Sequence, residues 1–286
     1  MTLAVAACFP WGRLKSFRDR LPPGQVLEQG VILATDSRFS FGPAAPPDDY
    51  GRKLYPLTAS TGLVYAGDVT LAQRGVAAIV RYIRRRRTRS RVDPALDVGR
   101  ILKALRNTES ERVRLRRRPG STADIDPLFF LLGTCDRNAN AYITRYSYGS
   151  DFSPLTLLGV EALGFPEDIA VFKKTLLDLE AERWQKGELP VDPVPWQFDV
   201  LSAVRSAMSS PRRTRSIGGR IQSLVITKNG TREMNISVLR EGGNPITSND
   251  WSDVSIPMAQ VHAFRYSASA ASPEPEAGIV SEHILD

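Results

Sequence analysis

Residues 30–38 read GVILATDSR. The run from Val31 to Ala34 is apolar and β-prone, and it closes on the polar group Asp36-Ser37-Arg38. That pattern predicts a strand that carries ionisable side chains to its end. The same character appears upstream in TLAVAAC (2–8), which predicts a buried strand starting almost at the first residue quoted. Between the two lies a mixed-charge segment, 9–30, containing Pro22-Pro23-Gly24 and reading as a loop with room for one short helix. Downstream, GPAAPPDDYG (42–51) is a Pro-rich connection. RKLYPLTASTGLVYAG (52–67) then predicts two strands around a turn at Ser60-Thr61-Gly62.

Apolar residues at Leu71, Val76, Ile79, Val80 and Ile83 recur at helical spacing and predict a helix from Thr70 to about Arg87. A second helix is predicted from Asp93-Pro94, where Asp caps and Pro suits the first turn, through Val98, Ile101, Leu102 and Leu105. DPLFFLLGTCD (126–136), NANAYITRYSYG (138–149) and LTLLGVEALG (155–164) are three strand candidates, the first two forming a hairpin. Two helices follow, over EDIAVFKKTLLDLEAERWQKG (167–187) and WQFDVLSAVRSAMSS (196–210). IQSLVITKNGTREMNISVL (221–239) closes the series as a hairpin turning at Asn229-Gly230.

The order is strands, two helices, strands, two helices, strands. Two antiparallel sheets packed face to face, each with a helical layer outside, bury those apolar faces; the expected fold is α+β, a four-layer αββα sandwich. Beyond Tyr266 the composition turns to Ala, Ser, Pro and Glu. The expected organisation is therefore one domain over 1–266 and a disordered tail over 267–286.

Composition excludes several classes. Two cysteines, Cys8 and Cys135, in 286 residues make no disulfide framework and suit a reducing cytoplasm. Two histidines, His262 and His283, leave no His/Cys cluster, so no metal and no other cofactor is expected. No apolar run approaches the roughly 20 residues of a membrane span, and Leu3 to Phe9 is too short for the apolar core of a signal peptide. The expected setting is cytoplasmic.

Thr2 follows the initiator Met and is small enough for that Met to be trimmed. A threonine with a free α-amine holds a hydroxyl nucleophile and its own base in one residue. The amine's ordinary pKa of about 7.7–8.0 already suits a general base, and a nearby lysine lowers it by like-charge repulsion.

The strand GVILATDSR, then Lys53, then VYAGD (64–68) resembles the early motifs of proteasome β-type subunits and the related bacterial peptidase subunits. In that family a strand of the form G-V-(V/I)-(L/I)-A-x-D-x-R carries the active-site aspartate, a lysine lies on the next strand, and a further strand ends in Ala-Gly. The matching residues are Asp36, Lys53 and Ala66-Gly67, with Lys53 and Gly67 fourteen residues apart as in the family. The resemblance implies a threonine-type peptidase or amidohydrolase acting on a peptide or other amide. Its catalytic residues would be Thr2 as nucleophile, Lys53 as the adjacent positive charge, Asp36 as the partner of Lys53, and Gly67 as oxyanion donor. Arg38 matches a family arginine with a structural role. Subunit rings, here a homo-oligomer, and an ATP-dependent unfoldase partner are further implications.

Read without the family, Asp36 and Lys53 are an ordinary ion pair at a strand end, and Gly67 a turn. Three departures also support a catalytically inactive scaffold or structural subunit. Segment 8–29 replaces a tight turn, Val160 follows Gly159 where the family often has serine, and TRSIGG (214–219) puts Thr214 and Ile217 in an Asp-x-x-Ser-Gly-Gly run.

The net charge of +7 comes largely from RRRRTRSR (84–91), RVRLRRR (112–118) and RRTR (212–215). Such runs can neutralise phosphates, which keeps open a third reading as a nucleic-acid-associated protein. They equally suit solvated helix ends or an acidic protein partner. Trp184, Trp196 and Trp251 read as core or interface anchors.

Overall fold

A computed structural model describes residues 2–12, 28–39, 48, 51–86, 97–107, 128–188, 193–210 and 217–236. Met1, the segment 13–27, the predicted helix start at Asp93-Pro94, the arginines 87–91, 112–118 and 212–215, Thr214, Trp251, both histidines and the tail lie outside these residues.

The elements run β1 (Ala4–Phe9), β2 (Gly30–Asp36), β3 (Leu54–Thr58), β4 (Thr61–Gly67) and α1 (Val69–Arg86). A helix α2 covers 97–107. There follow β5 (Leu128–Cys135), β6 (Ala141–Ser147), β7 (Leu155–Leu157), β8 (Val160–Leu163), α3 (Pro166–Lys186), α4 (Pro193–Ser209), β9 (Ile221–Thr227) and β10 (Gly230–Ile236). The fold is mixed α+β with two five-stranded antiparallel sheets, ordered β10-β9-β2-β1-β8 and β3-β4-β5-β6-β7.

Every residue of β1 and β2 is buried, which explains why both read as continuous apolar runs rather than alternating ones. Alternation is still present, between two kinds of neighbour. Val5, Ala7, Phe9, Ile32 and Ala34 join a cluster with Phe172 and Leu176 of α3 and with Trp196, Val200 and Val204 of α4. Ala4, Ala6, Cys8, Val31 and Leu33 join Val64, Ala66 and Leu131 of the other sheet. A third cluster sets Leu63, Tyr65, Phe130 and Leu132 against Leu71, Val76 and Ile79 of α1 and Leu102 of α2. Each Leu, Ile, Val or Phe so buried stabilises the fold by about 1.5–3 kcal/mol.

The sheets meet through glycines. A Cβ on Gly62 would fall 2.4 Å from Leu224 Cδ2, and one on Gly133 would fall 2.8 Å from Val31 Cγ1. Gly62 therefore serves close approach rather than the expected turn. The turn is Ala59-Ser60, and Thr61 opens β4 opposite Thr58. In the last hairpin the loop residues are Lys228-Asn229, while Gly230 pairs with Thr227 as the first residue of β10.

The expected single strand at 155–164 is two. β7 pairs with β6 in one sheet and β8 with β1 in the other. The change of sheet occurs across Leu158-Gly159, where Gly159 has φ 104°, a conformation that favours glycine. Trp196 is fully buried and makes an edge contact with Trp11 at 4.8 Å, and Trp184 packs on the same cluster. Among the described residues no helix is long and apolar enough to cross a membrane.

Arg84 and Arg85 at the end of α1 are exposed. On α3, Glu167, Asp178 and Glu182 are exposed too, but Asp168 and Glu180 are buried at 1% and 8% exposure. Those two acids face inward, unlike the other three.

Candidate active site

The pairing of β1 with β2 decides what stands beside Thr2. The register Ala4↔Thr35 carries the residues before β1 past the end of β2, where Asp36 sits. There the Leu3 N–H donates to Asp36 Oδ1 at 3.0 Å, and the Thr35 hydroxyl donates to the Leu3 carbonyl at 2.9 Å. Consecutive residues of β2 thus hold both backbone groups of Leu3, which fixes the direction of Thr2. Thr2 itself is buried, at 6% exposure.

Lys53 arrives from the other sheet, as the residue before β3. Its ammonium donates to Thr2 Oγ1, to Asp36 Oδ2 at 3.1 Å and to the Arg38 carbonyl. An ammonium has three donors and no acceptor, so these three contacts match its full capacity. The Phe39 ring lies 5.5 Å from the same nitrogen, within range of a cation–π contact.

Asp36 Oδ2 also accepts the Arg38 N–H at 3.1 Å and the Gly218 N–H at 3.3 Å. Asp36 and Lys53 have no exposed side-chain surface. Burial pushes the Asp36 carboxyl up from its ordinary range, while the Lys53 charge and the N–H donors of Gly218 and Arg38 pull the other way. Burial is the larger influence.

Gly67 closes β4 with φ 124°. The register Leu54↔Val64 puts Lys53 and Gly67 at the same end of the β3–β4 ladder. Arg38 supports the loop before β9. Its Nη1 donates to the Ile217 carbonyl at 3.4 Å, and a Cβ on Gly218 would fall 2.4 Å from its Cζ. The Gly218 backbone therefore reaches Asp36, whereas Ile217 is buried in the core with α4.

Thr2, Asp36 and Lys53, all named from the sequence, form one hydrogen-bonded cluster, with Gly67 at the Lys53 end of its sheet. Sequence reasoning missed Thr35, the Arg38 carbonyl, the Phe39 ring and Gln222, which accepts the Lys53 N–H. A signal existed for Thr35 and Gln222, since each is a polar residue inside a mainly apolar strand. Phe39 and a backbone carbonyl carry no such mark.

The chemistry open to this arrangement follows from the charges. A hydroxyl oxygen that receives a hydrogen bond from a buried ammonium is stabilised as it gains negative charge. With Lys53 acting as the donor, the hydroxyl proton would pass to another base. Among the described residues no group of three or more His, Cys, Asp or Glu side chains converges as a metal site would. No protein-family model matches the chain, and no curated protein matches it in sequence.

Proposed function

We propose that the chain is an N-terminal-nucleophile hydrolase similar in fold to the proteasome β-type subunits, a four-layer αββα sandwich, and that it cleaves peptide or other amide bonds with Thr2. The observation that carries this reading is the fully buried Lys53 ammonium shared by Thr2 Oγ1, Asp36 and the Arg38 carbonyl. The sandwich rests on the three clusters, two of them between a sheet and a helix pair and one between the sheets.

With Met1 removed, Thr2 Oγ attacks the amide carbonyl carbon and its proton passes to the Thr2 α-amine, directly or through a water. The Gly67 N–H donates to the resulting oxyanion, where one such donor is typically worth about 2.7–4 kcal/mol. Collapse breaks the C–N bond as the amine returns the proton to the leaving nitrogen, leaving an ester on Thr2. Water, deprotonated by the same amine, then cleaves the ester and frees the acid. Lys53, as donor to Thr2 Oγ1, favours oxygen anions beside it.

A reducing cytoplasm is proposed as the setting, since Cys8 and Cys135 are both free thiols. A homo-oligomeric ring is proposed as well, with exposed Arg84 and Arg85 facing Glu167, Asp178 or Glu182 of a neighbour. Intact-mass measurement joined to an amide-substrate panel tests the enzyme. A chain that keeps Met1 has no free Thr2 amine, which would leave the scaffold reading. That second reading is favoured by the apolar side chains of Ile217 and Val160, at positions where the related subunits are expected to carry serine.

A further inference from the structure

Lys53 reaches Thr2 from the opposite sheet, so something must hold its backbone in place across the gap. Gln222 does so with both ends of its amide. Its Oε1 accepts the Lys53 N–H at 3.0 Å and its Nε2 donates to the Gly51 carbonyl at 3.0 Å. Gln222 sits on β9, paired with Thr35 and next to Ile221, the partner of Asp36. It shares its strand face with Leu224 and Ile226, which pack between the sheets.

The other side of the same short segment is closed by an aromatic ring. A Cβ on Gly51 would fall 2.4 Å from Phe39 Cζ. Residues 51–53 are thus held between the Phe39 ring and the Gln222 amide, and Phe39 also faces the Lys53 ammonium.

We propose that Gln222 is a positioning residue for Lys53, fixing the ammonium on Thr2 Oγ1 by tying the start of β3 to the strand that neighbours Asp36. This rests on the hydrolase reading. Gln222 touches neither Thr2 nor the Asp36 carboxylate through any bond described above, so it acts on the reaction only through the place of Lys53. Misplacing a catalytic group by about 1 Å can cost on the order of a hundredfold in rate.

Gln222→Met keeps the length of the side chain and removes both hydrogen bonds. With a peptidyl-aminocoumarin amide as probe, kcat is expected to fall by about tenfold to a hundredfold with KM within about twofold. The Cε resonance of Lys53 in selectively labelled protein is expected to move. Gln222→Glu keeps the acceptor for the Lys53 N–H and loses the donor to Gly51, so it should recover part of kcat. Wild-type kcat together with an unmoved Lys53 resonance in Gln222→Met would overturn the proposal. If Gln222→Met does not fold, the same pair of results in Gln222→Leu, which also removes both hydrogen bonds, overturns it. If the processed wild type hydrolyses no amide, the hydrolase reading fails by itself, and the Lys53 resonance alone decides the positioning.

Discussion

Asp36 and Lys53 form an ion pair at 3.1 Å in which neither side chain has any exposed surface. A pair of this kind is costly to break from one side, because the remaining charge stays buried without its partner. Lys53→Ala is expected to abolish hydrolysis and to destabilise the protein by about 3–5 kcal/mol. Denaturant unfolding alongside activity checks both. A stability loss under about 1 kcal/mol would mean that the pair is open to solvent.

The carboxyl of Asp36 is pushed above its ordinary 3.8 by burial, which sets opposite pH trends for activity and stability. On the hydrolase reading, protonated Asp36 no longer offers Lys53 a charged partner, so activity is expected to fall with pH through this raised folded pKa as well as through protonation of the Thr2 amine that serves as base. The stability contribution of Asp36 runs the other way. It is full below 3.8, where the carboxyl is protonated in both states, and is lost as pH rises through the folded pKa. Relative to Asp36→Asn, the wild type is therefore expected to gain stability on acidification. Urea titrations of the two proteins across the acid range measure this, and a wild type that loses ground would reverse the sign.

Thr2→Ala removes a small, buried side chain at the start of the described chain and takes away one acceptor of Lys53. Hydrolysis is expected to vanish while the protein stays folded. Residual turnover equal to that of wild type would assign the nucleophile elsewhere. Thr2→Ser, which keeps the hydroxyl, is expected to retain measurable activity.

Gly62→Ala tests the approach of the two sheets rather than the chemistry. The new methyl would meet Leu224 at 2.4 Å and Leu33 and Ile226 at 3.1 Å. Overpacking of this kind costs about 1–3 kcal/mol. Thermal unfolding should show that loss, and an unchanged midpoint would mean that the sheets separate freely at this point.

Association through Arg84 and Arg85 is expected to weaken as salt rises, since exposed charges are screened beyond about 8 Å at physiological ionic strength. Light scattering over a salt series reads this directly. A monomeric mass at every salt concentration removes the ring.

The fold was legible where burial acts locally. GVILATD reads as a strand because both of its faces are covered, and Pro166–Lys186 reads as a helix that ends at Gly187, whose φ of 67° suits a glycine cap. It was illegible where the cause lies far along the chain. LTLLGVEALG looks like one apolar strand, and only the positions of the two sheets make Gly159 turn it from one to the other. Gly62 looks like a turn residue because the side chain it must avoid, Leu224, is remote in sequence. Asp36 and Lys53 could be named because the stretches that carry them resemble the early motifs of a known family; by charge alone they read as an ordinary ion pair. The carbonyl of Arg38 and the N–H of Gly218 could not, since every residue but proline has both.

Asp36 lies on one sheet and Lys53 enters from the other. A sheet that formed alone would leave its charge to water, and that water is removed only as the other sheet brings the opposite charge. Docking of the sheets is what brings the two charges together, and the same ammonium that meets Thr2 ties one sheet to the other.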